Sequence, residues 1–191
     1  AQARIAAMLL LTLRGTPTLY QGDELGMENG VIPVDRLRDP QGLRLGPERS
    51  RDPGRTPMQW NSDPFAGFSS VEPWLPINND FERNNAAVQA GERASMLNLY
   101  RSLLTYRRSN TALLSGSYET YGAPDGCFVY LRRAHDSTRL IALNLTAEPQ
   151  SVSLETLRGV VAISTYLDRD GPETETLSLR PNEGVILEVE V

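Results

Sequence analysis

The stretch Ala1 to Leu13, Ala-Gln-Ala-Arg-Ile-Ala-Ala-Met-Leu-Leu-Leu-Thr-Leu, constrains the rest of the chain more than any other. Its residues are good helix formers and are apolar on nearly every face, so the helix must be buried on most sides. Ile5 to Leu13 is too short to cross a bilayer, which takes ~20 apolar residues. No Ser, Thr, Asp or Asn opens the helix as a cap, and Arg14-Gly15-Thr16-Pro17 turns the chain where a secretory leader would carry a small-residue cleavage site. The segment reads as a helix cut from an upstream partner, and the chain is expected to be a fragment. Its 191 residues suit one domain, or a small domain plus part of another.

Thr16 to Tyr20 is a β-branched and aromatic run closed by Gly22, with Pro17 near its start, and predicts a strand. Helix, short turn and strand is the order of a parallel α/β architecture. Periodicity then stops: Glu28 to Asn85 holds eight of the 13 prolines and both tryptophans. A loop this long is functional or disordered, and five aromatics (Trp60, Phe65, Phe68, Trp74 and Phe81) argue against disorder. After a short turn at Ala86 to Ala90, a helix is predicted from Glu92 to Ser109. Met96, Leu99, Tyr100, Leu103 and Leu104 share one face, Arg107 and Arg108 suit the negative end of the dipole, and Asn110 closes it.

From Ser115 the pattern changes to short strands: Tyr118 to Tyr121, Gly126 to Arg132, Arg139 to Leu145, Ser151 to Leu154, Val160 to Leu167, Thr174 to Leu179 and Val185 to Val191. Gly, Pro, Asn and Asp separate them, with the clearest turns at Asp125-Gly126 and Asp170-Gly171. Seven or eight such strands predict an antiparallel β-sandwich.

A net charge of −5 argues against a nucleic-acid partner held through phosphates. All 19 basic residues are arginines, which removes lysine-based covalent chemistry. One cysteine, Cys127, excludes an intrachain disulfide framework and a cysteine-rich zinc site, and its strand-like setting suits a buried structural thiol. His135 lies in a polar turn with no nucleophile marked nearby. The sequon Asn144-Leu145-Thr146 is read as a chance match. No metal, nucleotide or prosthetic group is implied, and no membrane association; a cytoplasmic location is expected.

Gly15-Thr16-Pro17-Thr18-Leu19-Tyr20-Gln21-Gly22-Asp23-Glu24-Leu25-Gly26-Met27 resembles the eighth barrel strand and following turn of the α-amylase family of glycoside hydrolases. Arg51-Asp52-Pro53-Gly54-Arg55-Thr56-Pro57-Met58-Gln59-Trp60 is similar to a stretch of its α-glucosidase and oligo-1,6-glucosidase branch, shared with trehalose synthases and sucrose isomerases. Ala66-Gly67-Phe68, Pro73-Trp74-Leu75-Pro76 and Ser95 to Tyr100 continue the resemblance. It implies a mixed α/β plus all-β chain: residues 1–112 as the last unit of a (β/α)8 barrel with a long loop at 28–85, and residues 113–191 as a C-terminal antiparallel β-sandwich. A loop after a barrel strand lies at the C-terminal face, where barrel active sites are built.

The resemblance implies retaining hydrolysis of terminal α-linked glucose from oligosaccharides, by two carboxylates ~5–5.5 Å apart. None of the family's catalytic motifs occurs in this chain, so no residue here is assigned as catalytic and the fragment alone is expected to be inactive. Asp23 and Glu24 are neighbours leaving a strand and point to opposite sides, which suits loop-orienting acceptors better than a catalytic pair. Arg55 matches the arginine that holds the innermost glucose; the alternative is an ion pair with Asp52 or Asp23 that ties the loop down. Trp60 and Trp74 could stack on sugar rings, although Trp60, beside Pro57 and Met58, suits packing beneath the loop. Two other readings share the scaffold: a trehalose synthase or sucrose isomerase, and a non-catalytic amylase-like partner subunit. An isolated fragment is expected to dimerise through its uncovered barrel remnant or to leave part of 28–85 disordered.

Overall fold

A computed structural model describes residues 2–190; Ala1 and Val191, the outer ends of the predicted first helix and last strand, lie outside the described residues. The helices are α1 (Gln2–Thr12), α2 (Pro40–Leu45), α3 (Ala86–Gly91), α4 (Met96–Arg108) and α5 (Thr111–Leu114). The strands are β1 (Ser117–Thr120), β2 (Cys127–Arg133), β3 (Thr138–Asn144), β4 (Gln150–Ser153), β5 (Gly159–Ser164), β6 (Pro172–Glu173), β7 (Thr176–Leu179) and β8 (Gly184–Val189). The fold class is mixed α/β followed by all-β. The chain forms two compact units: Ala1–Thr18 with Asn98–Val191, and Leu19–Leu97.

In the first unit an antiparallel sheet of order β1-β2-β3-β8-β5-β6 is accompanied by the two-stranded sheet β4-β7. Val129, Leu131, Leu140, Ala142, Val185 and Leu187 of the large sheet share one buried cluster with Val152, Leu177 and Leu179 of the small one, which makes this a sandwich. The alternate residues of the same strands, Ile141, Leu143 and Ile186, are also fully buried, on the face met by α1 and α5. Cover on both faces explains why β3 and β8 read as continuous apolar runs rather than alternating ones. At Gly184 the helix layer comes so close that a Cβ would lie 2.8 Å from both Met8 Sδ and Leu143 Cδ2. The predicted run Thr174 to Leu179 is realised as Thr176–Leu179, which pairs with β4, and a further two-residue strand that was not predicted, Pro172–Glu173, pairs with β5. Pro172 sits on an edge strand, where a missing donor is tolerated.

The end of α1 is closed by two buried arginines. The helix has no basic residue in its last turn, so its final carbonyls need other donors. Arg107 donates to the carbonyls of Leu11 (2.8 Å), Leu13 (3.1 Å) and Gly15 (2.6 Å). Arg132, wholly buried, donates to the carbonyls of Thr12 (2.5 Å), Gly116 (3.0 Å) and Ser117 (3.2 Å). Thr12 and Tyr130 share a 2.5 Å hydroxyl contact in the same place, and burial pushes the Tyr130 phenol up to about 12. Burial likewise lowers the pKa of both guanidinium groups, because neither has a carboxylate partner among the described residues.

Four expectations change here. Thr16 to Tyr20 forms no strand: a ladder needs a neighbour, and none of the described strands pairs with this segment. Arg107 serves the end of α1 rather than of its own helix. Asn110 does not merely close α4; its side chain caps α5, accepting from the Leu113 amide at 3.3 Å. α4 starts at Met96, not Glu92, because the Leu97 amide is capped by the side chain of Gln89 at 2.9 Å.

The unit Leu19–Leu97 contains no strand. Short 3₁₀ turns at Asp23–Leu25, Val34–Arg36, Pro47–Arg49, Asp52–Arg55 and Pro64–Gly67, with α2 and α3, make up its regular structure.

Replacing Arg132 by Met should lower unfolding stability by about 3 kcal/mol or more, because buried carbonyls are left without a donor; urea denaturation measures it. Near the ends of β5 and β7, Arg180 grips Asp168 through two hydrogen bonds of 2.7 Å and holds its carboxyl down to about 2 from 3.8. A depressed carboxylate stabilises fully above its unfolded pKa, and that contribution disappears as pH falls through its folded one. The stability difference between the unaltered chain and Asp168→Asn should therefore shrink as pH is lowered from about 4 to about 2, read from Tm at stepped pH.

Candidate ligand-binding groove

Within Leu19–Leu97 the backbone is organised by buried polar side chains. Asp39 accepts from the Arg51 backbone amide at 2.8 Å and from its guanidinium at 3.0 and 2.5 Å. Asp52 returns the connection, accepting from the amides of Arg38 (2.7 Å) and Asp39 (2.8 Å). The two carboxylates thus clasp 38–39 to 51–52, and the Arg51 side-chain hydrogen bond above all holds the Asp39 carboxyl well below the usual carboxylate range. Gln89 ties Leu25 to Leu97 through its side-chain amide, and Asn85 caps α3 by accepting from the Val88 amide.

This clasp fixes the turn Asp52–Arg55 and thereby Arg55. The predicted alternative for Arg55, an ion pair with Asp52 or Asp23, is not formed. Asp52 is committed to the amides of 38–39, and Asp23 accepts the Tyr20 amide at 3.0 Å. Glu24 accepts the Gly22 amide at 2.8 Å, so both carboxylates orient their own turn. Arg55 is exposed and has no hydrogen-bond or ion-pair partner among the described residues.

Arg55 lines a groove of 430 Å³ with Gln21, Pro57, Phe68, Val71 and Trp74. Trp74 is 74% exposed. Its segment is nonetheless anchored: Arg36 donates to the Glu72 carboxylate (2.8 Å), the Pro73 carbonyl (2.9 Å) and the Trp74 carbonyl (3.2 Å). Phe68 follows a turn in which Phe65 (φ 56°) and Ala66 (φ 57°) both occupy the left-handed region, an arrangement costly for residues with a side chain. The Ala66 carbonyl holds that turn by accepting the Trp60 and Asn61 amides. Trp60 itself is 53% exposed, so it is not packed beneath the loop as expected.

Sequence reasoning missed Arg36, which was only one of six arginines between 36 and 55; its partners lie 36–38 positions away and leave no local signal. Other singled-out residues lie elsewhere. His135 is an exposed turn residue, and Cys127 is a half-buried free thiol whose pKa burial raises. Asn144 is buried and donates to the carbonyls of Glu148 and Arg180, which leaves no room for a glycan. Among the described residues no three His, Cys, Asp or Glu side chains gather as metal ligands would, and no helix is long and apolar enough to cross a membrane.

A turn held by the Arg51–Asp39 pair and by the Asp52 carboxylate on backbone amides, opening onto an aromatic groove and linked in sequence to a β-sandwich, is the arrangement to compare with known proteins. The α-amylase family profile, described as the α-amylase catalytic domain, matches residues 1–116, and the chain belongs to that family. A protein named probable α-glucosidase from Rhizobium meliloti is 37% identical over 177 residues, covering 89% of this chain and 32% of that protein. One named probable oligo-1,6-glucosidase 3 from Bacillus subtilis is 34% identical over 166 residues, covering 77% and 30%. The crystal structure of isomaltulose synthase from Klebsiella sp. LX3 superposes with a TM-score of 0.85 at 28% identity, covering 99% of this chain and 38% of that one. The chain thus spans about a third of the length of the relatives it matches.

Proposed function

We propose that the chain is the C-terminal part of a retaining α-glucosidase that releases terminal α-linked glucose from short oligosaccharides. In this reading residues 1–112 complete the catalytic barrel, residues 113–191 form its C-terminal β domain, and the catalytic carboxylates belong to earlier barrel strands. The observation that carries the proposal is the Arg55 guanidinium, without a hydrogen-bond or ion-pair partner among the described residues, in an aromatic groove on a turn that two buried carboxylates hold in place. A guanidinium offers five donors in a fixed plane, so it can hold two adjacent sugar hydroxyls and orient the ring for attack at its anomeric carbon. Because the clasp sets the backbone beforehand, little ordering remains to be done when the sugar arrives. The likeness to named glucosidases supports the same reaction.

A second reading, a sucrose isomerase on the same scaffold, is favoured by the likeness to isomaltulose synthase. Products from maltose and sucrose distinguish the two, since hydrolysis releases free glucose and isomerisation mostly does not.

In the full-length enzyme, Arg55→Ala should reduce kcat/KM on the order of 100-fold, the loss of two charged hydrogen bonds of about 1.5 kcal/mol each. Circular dichroism should be unchanged because Arg55 has no protein partner among the described residues. Steady-state kinetics check this, and an unaltered kcat/KM would overturn the role assigned to Arg55.

A further inference from the structure

We infer that Trp74, positioned by Arg36, is the platform for the sugar ring next to the terminal glucose; this rests on the glucosidase reading and names the subsite beside Arg55. A pyranose has a hydroxyl rim and two faces of C–H bonds, so a site for it combines hydrogen-bond donors with an aromatic surface. The groove provides both: Arg55 and Gln21 on one count, Trp74 and Phe68 on the other. Its 430 Å³ lies within the range of small-molecule sites, about 300–1,000 Å³.

Trp74 is unlike an incidentally exposed side chain because its backbone is held. One guanidinium, that of Arg36, bonds to three consecutive residues, Glu72, Pro73 and Trp74, and Pro73 further restricts the chain. An exposed indole on an ordered segment loses little freedom on stacking, which is what makes an aromatic residue an efficient contact. The same bonds remove a competitor. Glu72 also lines the groove, and Arg36 neutralises its carboxylate at 2.8 Å. Exposed ion pairs of this type add little to stability, so the value of Arg36 is positional. Arg36 is a positioning residue, and Trp74 the residue that touches the sugar.

The test compares two substrates of the full-length enzyme that share the glucosyl group: isomaltose, which has a second ring, and α-glucosyl fluoride, which has none. Trp74→Ala should lower kcat/KM about tenfold or more on isomaltose, corresponding to about 1.4 kcal/mol of lost stacking, with the loss confined to the substrate that carries the second ring. Trp74→Phe should restore most of it. Arg36→Ala should show the same selective loss, mainly in KM, with Arg36→Lys intermediate because an ammonium cannot reach all three partners in one plane. Arg55→Ala should impair both substrates. Equal losses on both substrates for Trp74→Ala, or none on either, would overturn the platform while leaving the glucosidase reading intact. Failure of the unaltered enzyme to act on α-glucosyl fluoride would overturn both.

Discussion

The end of α1 is where the first unit is held together. A helix that stops inside a protein leaves carbonyl oxygens that water cannot reach, and each must find a donor. Here the donors are two arginines from remote parts of the chain, Arg107 on α4 and Arg132 on β2, aimed at the carbonyls of Leu11, Thr12, Leu13 and Gly15. Their charge lies at the negative end of the helix dipole, so the electrostatics and the hydrogen bonding agree. Burial opposes the charge and lowers the pKa of both groups, but a guanidinium remains ionised, and the several carbonyl dipoles that converge on each replace the water it has lost. Everything layered around this point follows: α1 lies on β3 and β8, Met8 settles over Gly184, and Tyr130 meets Thr12.

The unit Leu19–Leu97 solves a different problem by different means. With no sheet and few long helices, it has little hydrophobic core, and its order comes from buried carboxylates and amides that bind backbone groups across the loop. Such bonds are directional, so they fix where a turn points as well as whether it forms. The result is a loop whose backbone is largely committed while selected side chains, Arg55 and Trp74 among them, remain available at its surface. A recognition surface requires that division: rigid support below and unengaged groups above.

Much of this was legible in the residues. Helix-forming, nearly all-apolar residues located α1, apolar periodicity located α4, and regular turn signals located the seven runs that overlap every strand except the two-residue β6, because these signals are local. The motif from Arg51 to Trp60 singled out Arg55 without showing whether its guanidinium was free. Trp60 was misjudged since burial depends on what lies above a side chain, not on its neighbours in the chain. Thr16 to Tyr20 has strand chemistry, yet a strand exists only through its partner.

The sequence by itself therefore determined the mixed α/β plus all-β character, the places of α1, α4 and most of the strands, and the family, and it contains no lysine and a single cysteine. Only the tertiary structure decided which arginines are structural and which are free. Arg36, Arg51, Arg55, Arg107 and Arg132 are chemically identical in the sequence. They differ only in the oxygen atoms that folding brings within about 3 Å, and those oxygens belong to residues up to 120 positions away.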